Sequence, residues 1–453
     1  MRKLLRNVVM PIAVAAALLA ALLVIGEPYG HTQDAASPTQ TADASLVARG
    51  QYLAYAADCV ACHSAPGGAA YAGGRPMGLP LNSTVYPTNI TPDPQTGIGL
   101  YTLRDFDRAL RGGIARDGHH LYPSMPYPSY AKISDADVAA LYAYFMRAVK
   151  PVYQQNRPAR VAWPLSMRWL MSVWNLFFLD THPYQPSPAH DAQWNRGAYL
   201  VQGLGHCGAC HTPRGWLFEE KALTQAKRVY LSGAPLDNWS AADLSGDPTL
   251  GLGRWSEADL VQFLRTGHNA TGTAFGSMID VINYSTQYLS DADNLAIAHY
   301  LKSLAPAHAS DANQSWHYDP AATEALARLQ FKAPGSQTYA QYCADCHQRS
   351  GGGQAPFMPA LAGNPAVLDA DPISLLNITL NGSSPIVLAG DPDFYRMASY
   401  RTILNDQQIA DVVNFVRSSW GNHASAVTPD EVAALRARTD AVQVEELNLL
   451  RMR

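Results

Sequence analysis

The chain has 453 residues, 47% of them hydrophobic and 15% charged, with a formal net charge of −4. That length suits about three domains, and the composition is that of a globular protein. No basic run or aromatic-basic stripe is present, which excludes a nucleic-acid partner.

At the N-terminus, Arg2, Lys3 and Arg6 precede an uncharged, mostly apolar run from Val8 to Ile25. A secretory signal peptide has this layout, but no small-x-small cleavage site follows directly. Eighteen residues lie near the lower limit for a membrane span. The expectation is a retained anchor over 1–28 with its basic end cytoplasmic, and a cleaved signal is the runner-up. Either way the body is exported. Residues 29–44 are polar and read as a tether.

A first domain is expected over 45–150. A helix through Ser45–Leu53 leads into Cys59-Val60-Ala61-Cys62-His63. The same pattern returns at Cys207–His211 and at Cys343–His347, and these three motifs use all six cysteines. Cys-x-x-Cys also occurs in zinc and thiol-redox sites. A histidine directly after the second cysteine, three times over, instead points to covalent haem c. Two intervening residues let one turn of chain present both thiols along one porphyrin edge, and the next side chain can then ligate the iron.

After the first motif, Thr88–Asp93 offers polar groups for haem propionates, with an ordinary turn as the bland alternative. Thr102-Leu103-Arg104-Asp105 resembles a capping box opening a helix to Leu110. A last helix runs from Ser134 to Arg147. Met125, in a Pro-flanked loop before that helix, is the choice for the sixth iron ligand. A thioether there raises the haem potential. Met77 and Met146 compete, and His119 or His120 would give bis-His ligation.

Residues 151–190 form a Trp-rich connector, with three Trp and two Phe between Trp163 and Leu179. It is too short for a confident membrane span. It suits the membrane interface, or a helix packed between domains. The sharper hypothesis is an apolar slot for a quinone, with Trp169 and Arg168 beside it; a snorkelling surface role is the alternative for Arg168.

A second domain is expected over 191–306. Gly251–Leu260 parallels Gly97–Phe106, and Ser290–Asp293 parallels Ser134–Asp137. That alignment sets Met278 opposite Met125. His268 is the weaker rival, and His206 belongs near the haem edge or solvent. Residues 307–334 are a linker, and 335–425 the third domain, closing with a helix from Asp406 to Trp420. Met397, just before that helix, is preferred over Met358 as the third axial ligand. Residues 426–453 form a charged tail with a short helix candidate. Each domain reads helix, motif, loop, helix, Met loop, helix: a mainly α fold with the haem as its core.

The stretches DCVACH, TNITPDPQTGIG, LYPSMPYPSY, WPLSMRW, GHCGACHTPRG, GLGRWSE, LAGNP and QQIADVVNFVRSSWGN together resemble a known family. They are similar to the triheme cytochrome c subunits of membrane-bound dehydrogenases of acetic acid bacteria, over about Ser45 to Asn422. The resemblance implies three tandem class I cytochrome c domains with His/Met haems. By position, the iron ligands fall on His63, Met125, His211, Met278, His347 and Met397. It also implies a molybdopterin, quinoprotein or flavoprotein catalytic partner, ubiquinone as acceptor, and a site on the periplasmic face of the inner membrane. The short charged tail departs from the alcohol dehydrogenase subunits and favours an aldehyde-oxidising partner. In this reading the chain is an electron wire with no substrate pocket, base or nucleophile of its own. The competing class is a free-standing carrier serving a terminal oxidase without a quinone site; an open sixth position would instead suggest a peroxidase-like enzyme.

Overall fold

The computed structural model describes residues 43–308, 316–389, 391–392 and 395–442. The expected N-terminal anchor and nearly all of its tether lie outside the described residues. Among the described residues, no helix is long and apolar enough to cross a membrane.

The chain is mainly helical. The first segment contains α1 (Ala44–Ala56), α2 (Cys59–Cys62), α3 (Leu103–Gly112), α4 (Tyr127–Tyr130) and α5 (Asp135–Arg147). The Trp-rich connector carries α6 (Leu170–Phe178). The second segment contains α7 (Ala192–Tyr199), α8 (Gly208–His211), α9 (Glu257–Thr266), α10 (Met278–Tyr284) and α11 (Asp291–Lys302). Then follow α12 (Ala321–Ala327), α13 (Ser336–Tyr342), α14 (Ala344–His347), α15 (Pro365–Leu368), α16 (Ile373–Asn381), α17 (Asp406–Ser418) and α18 (Pro429–Arg438). Among the described residues, the sheets are three two-stranded antiparallel hairpins: Met77–Leu79 with Ser83–Val85, Ser232–Leu236 with Trp239–Asp243, and Val387–Leu388 with Asp391–Pro392.

Local sequence explains the helix limits. Thr102 and Asp105 form a full capping box on α3, and Gly113 at φ 65° closes it. Ser256, Asp259 and Gly267 at φ 72° do the same for α9. Side-chain caps satisfy amide donors that the first helical turn leaves without partners, and a left-handed glycine ends the helix without a Cβ clash. The last helix expected to reach Trp420 stops at Ser418, because Ser419 is already extended at φ −103°, ψ 161°, and Trp420 then adopts φ 58°. Its indole is 1% exposed and packs on Tyr339 and Phe415. The linker expected over 307–334 contains the helical turns of α12.

In each segment the helix before the motif crosses the last helix at a glycine. A Cβ on Gly50 of α1 would lie 1.9 Å from the Ala140 carbonyl oxygen of α5. A Cβ on Gly197 of α7 would lie 2.0 Å from the Ala296 carbonyl oxygen of α11. At the third crossing, Gly335 at φ 78° sets its Cβ position 2.1 Å from the Asp411 carbonyl oxygen.

The first two segments share one hydrophobic core, in which Leu53, Leu141 and Phe145 join Leu200, Leu204 and Tyr300. Their polar interface is reciprocal. Arg49 pairs with Asp137 within the first segment, and Arg196 with Asp293 within the second. Tyr52 donates to Asp293 across the interface at 2.6 Å, and Tyr199 donates back to Asp137. Each tyrosine oxygen also accepts a backbone amide, Ser290 for Tyr52 and Ser134 for Tyr199. The third segment has its own core around Tyr339, Leu380, Val413 and Trp420.

Because the two glycine contacts leave no room for a methyl group, Gly50→Ala or Gly197→Ala forces the crossing apart. The expected cost is about 1–3 kcal/mol, after the gain in helix propensity. Thermal unfolding followed by circular dichroism checks this; an unchanged or raised melting temperature contradicts the crossing.

Candidate cofactor site

Each cysteine pair lies at one short helical turn that follows a crossing helix; α2 holds both cysteines, while Cys207 and Cys343 are the N-cap residues of α8 and α14. The motif helices α2, α8 and α14 are each four residues long. All six thiols are unbridged. Burial pushes the thiols of Cys62, Cys207 and Cys343 up to about 12 and that of Cys210 to about 11; Cys59 is raised further still.

The three imidazoles are held in one way. His63 Nδ1 lies 2.7 Å from the Thr88 carbonyl oxygen, His211 Nδ1 2.7 Å from that of Ala242, and His347 Nδ1 3.0 Å from that of Pro359. A carbonyl accepts only from an N–H, so the proton is on Nδ1 and Nε2 keeps its lone pair for a metal. Burial lowers the pKa of all three rings and favours the neutral, ligating form, against the opposing effect of the carbonyl bonds. Two reduced thiols and one oriented neutral imidazole per motif fit a covalently held haem.

A cavity of about 1090 Å³ runs between the second and third motifs. It is lined by Cys207, Cys210 and His211 from one side and by Cys343, Cys346 and His347 from the other. Met278, Met358 and Met397 all reach it. Met358 adjoins Pro359, the residue whose carbonyl holds His347, so its backbone belongs to the histidine side of the site. Met397 comes from the loop before α17 and is tied through its amide to Ser383. In the first segment, Met125 is partly buried between the shared core and a cluster containing Tyr122, Tyr127, Met171 and Trp174.

The rival candidates lie on other elements, though Met77 packs on the same cluster as Met125 and Met146 on the same core. His119 is exposed and bound to Asp117. His120 pairs through its backbone with Ile114. His268 is buried and meets Phe357 edge-on. Met77 begins a hairpin strand, and Met146 lies in α5. Asn89 and Thr91 are buried and spend their hydrogen bonds on each other, Thr96 and the Val152 carbonyl, as an ordinary turn does.

The first motif is also tied to the second segment. Arg75 donates to the Ala61 carbonyl at 2.8 Å and pairs with Asp280 of α10 at 2.6 Å. Asp58 is buried beside them, and burial with the nearby Asp280 holds its carboxyl well above the usual range. His206, expected at a haem edge or solvent, lies at this junction, where its ring meets Tyr130 edge-on with centroids 5.7 Å apart.

In the connector, Trp174 and Met171 are buried while Trp163 and Trp169 are exposed, so the segment both packs and presents an apolar face. The Trp174 indole donates to the Leu217 carbonyl at 2.9 Å. That bond sets Trp216, 97% exposed, and Leu217 beside α6. Arg168 donates to the His120 carbonyl at 2.7 Å and covers the Tyr122 ring, so it braces the segment leading to Met125. Sequence reasoning missed Trp216 and also Glu220, a buried carboxyl 3.8 Å from Arg214 near the second motif. Neither residue belongs to a motif; only the fold brings them to the site.

The family model for cytochrome c matches residues 47–148 and 332–420. The gluconate 2-dehydrogenase cytochrome c subunit of Pantoea cypripedii is 49% identical over 426 residues, covering 92% of this chain and 96% of the relative. The cytochrome c subunit of the alcohol dehydrogenase (quinone) of Komagataeibacter europaeus is 48% identical over 407 residues, covering 89% and 86%. The fructose dehydrogenase cytochrome subunit of Gluconobacter japonicus is 37% identical over 459 residues, covering 96% and 91%.

Burial raises the Glu220 carboxyl from 4.5 to about 7, against the opposing charges of Arg214 and Lys132. The folded chain therefore binds this proton more tightly than the unfolded chain. The stabilisation is complete below 4.5 and is lost as pH rises through about 7. The expected loss is at most about 3 kcal/mol. Glu220→Gln should flatten that slope in urea unfolding at stepped pH; an unchanged slope contradicts the assignment.

Proposed function

This chain belongs to the cytochrome c family, and we propose that it is the electron-transfer subunit of a periplasmic dehydrogenase, joining a catalytic partner to membrane ubiquinone. The observation that carries the reading is the threefold recurrence of a Cys-x-x-Cys-His turn whose histidine is locked through Nδ1 onto a backbone carbonyl. In this reading three tandem class I cytochrome c domains, over 45–150, 191–306 and 335–425, each hold one haem c. Bound haem supplies one-electron iron chemistry. Cys59, Cys62, Cys207, Cys210, Cys343 and Cys346 hold the three groups covalently, and His63, His211 and His347 ligate the irons. Met125, Met278 and Met397 would supply the further iron ligands; the cavity beside the second and third motifs, which Met278 and Met397 line, supports this for those two.

The substrate is oxidised on the partner. The relatives' printed names point to gluconate, alcohol and fructose dehydrogenases, which supports a partner acting on a hydroxylated carbon. An aldehyde-oxidising partner is the other arm of the test. The quinone in the printed name of the alcohol dehydrogenase supports a quinone as acceptor. For the membrane contact we favour the apolar face of α6 with the neighbouring loop, where Trp163, Trp169, Phe177 and Trp216 are exposed. Aromatic side chains of this kind suit the headgroup region of a bilayer. Trp169 then borders the quinone, and Arg168 links that surface to the Met125 loop.

Purification of the tagged chain from its native membrane in mild detergent should bring down a dehydrogenase subunit; its cofactor and a substrate screen then decide between alcohol, sugar acid and aldehyde. Recovery of a terminal oxidase alone would replace this reading with a free-standing carrier. The isolated subunit, reduced chemically, should pass electrons to a ubiquinone analogue. Trp169→Ala should slow that step with haem spectra intact, and full activity would remove the α6 surface from the quinone site. Met125→Ala, Met278→Ala and Met397→Ala should each lower the potential of one haem, whereas Met358→Ala should leave all three in place.

A further inference from the structure

A helix of four residues leaves most of its carbonyls without a partner inside the helix. In each motif turn one such carbonyl, that of the residue before the second cysteine, accepts from a side chain. Arg75 donates to Ala61, Arg214 to Ala209, and the Gln354 side-chain amide to Asp345. The three donors stand 13, 4 and 8 residues after the second cysteine of their motifs. No common spacing announces them; three different loops bring a donor to the same atom of the turn. Two of the donors stay within their own segment. Arg214 faces Glu220, and the neutral Gln354 bonds Asp345. Arg75 reaches into the next segment, where its second terminal nitrogen pairs with Asp280 at 2.6 Å.

Asp280 is the third residue of α10, the helix that Met278 opens. That helix packs against the motif helix α2 of the first segment. Its N-cap, Ser277, makes no side-chain cap, unlike Ser256 on α9 and Ser290 on α11. The far end of α10 is tied to the third segment. There Asn283 donates to the Pro385 carbonyl at 3.3 Å and accepts the Val387 amide at 2.8 Å. At the end that carries Met278, the side-chain tether is Arg75. Met278 itself lines the cavity beside the second motif.

We propose that Arg75 is a positioning residue for the second haem site: it locks the cysteine turn of the first motif to the helix that presents Met278, so that thioether ligation at the second iron depends on the first segment. A thioether is an uncharged, weak ligand, and its place on iron depends on how firmly the chain holds it. Groups that orient a metal ligand without touching the metal change affinity by about 10–100-fold. The inference rests on the reading of Met278 as an iron ligand.

The test uses the full chain with its haems and methyl-labelled methionine. In the reduced chain, a methyl group held against an iron porphyrin resonates far from the others. The signal that vanishes in Met278→Leu is the one to follow. In Arg75→Gln it should lose its shift, while the signals of the other ligated methionines keep theirs. In the ferric chain, imidazole, which displaces methionine from iron, should bind one site about tenfold more tightly. Asp280→Asn should do the same, and the double variant should be no worse than either single one. Effects that simply add would show that the two residues act separately and would overturn the proposal. A merely stabilising ion pair would lower the melting temperature but leave the Met278 signal and imidazole binding of the folded chain unchanged; that result overturns it too. If Arg75→Gln does not fold, Asp280→Asn decides by the same readouts. If no shifted signal vanishes in Met278→Leu, the ligand reading itself has failed, and the inference falls with it.

Discussion

Everything in this chain depends on how closely two helices can cross. At Gly50 and Gly197 the backbone of one helix lies against a carbonyl of another, at a distance no side chain permits. The crossing fixes where the first helix ends, and the cysteine turn begins within ten residues of the glycine. A rigid crossing thus becomes a rigid position for two thiols and an imidazole. The carbonyls of Thr88, Ala242 and Pro359 then orient the three rings from segments that follow each motif. The chain contributes little chemistry of its own at these sites; it contributes position, burial and ligand geometry.

The same crossings also join neighbours. Tyr52 and Tyr199 each follow a crossing glycine by two residues, and each donates to the aspartate that anchors the other segment's crossing. Both aspartates are largely buried and already hold an arginine, so the tyrosines meet charged acceptors. Hydrogen bonds to charged groups contribute more than neutral ones. Together with the shared apolar core they set the first two motifs at one fixed separation. The second and third motifs meet through a cavity instead, bordered by polar bonds such as Ser240 to Asp369 and Asn377 to the Asn238 carbonyl. The first motif's segment is thus joined to the second by a shared core and the second to the third across a cavity.

Much of this was legible from residues alone, and the reason is locality. A Cys-x-x-Cys-His turn, a Thr102–Asp105 box or a Ser134 cap is written within a few residues, and each formed where expected. The landmarks that pair Met125 with Met278 can be counted in the sequence, but Met125 stands in a loop whereas Met278 opens α10. What stayed hidden was carried by atoms without a residue signature. The carbonyls that orient the histidines belong to a threonine, an alanine and a proline, and nothing in their side chains announces the role. The extra residue between Gly197 and Cys207, against Gly50 and Cys59, can be counted in the sequence, yet only the fold shows that it becomes a π turn. Trp216 lay outside the Trp-rich stretch and joins that surface only through the Trp174–Leu217 bond. The last helix was expected to reach Trp420, whose backbone has already reversed.

The central claim is that all three motifs, including the one between the two regions matched by the cytochrome c family model, carry a covalent haem. Intact-mass measurement of the chain purified from its native membrane tests it most directly. The account predicts a mass increment of three haems that survives denaturation, reduced to two when Cys207 and Cys210 are both replaced by alanine. An increment of two in the unsubstituted chain, unchanged by those substitutions, would contradict it.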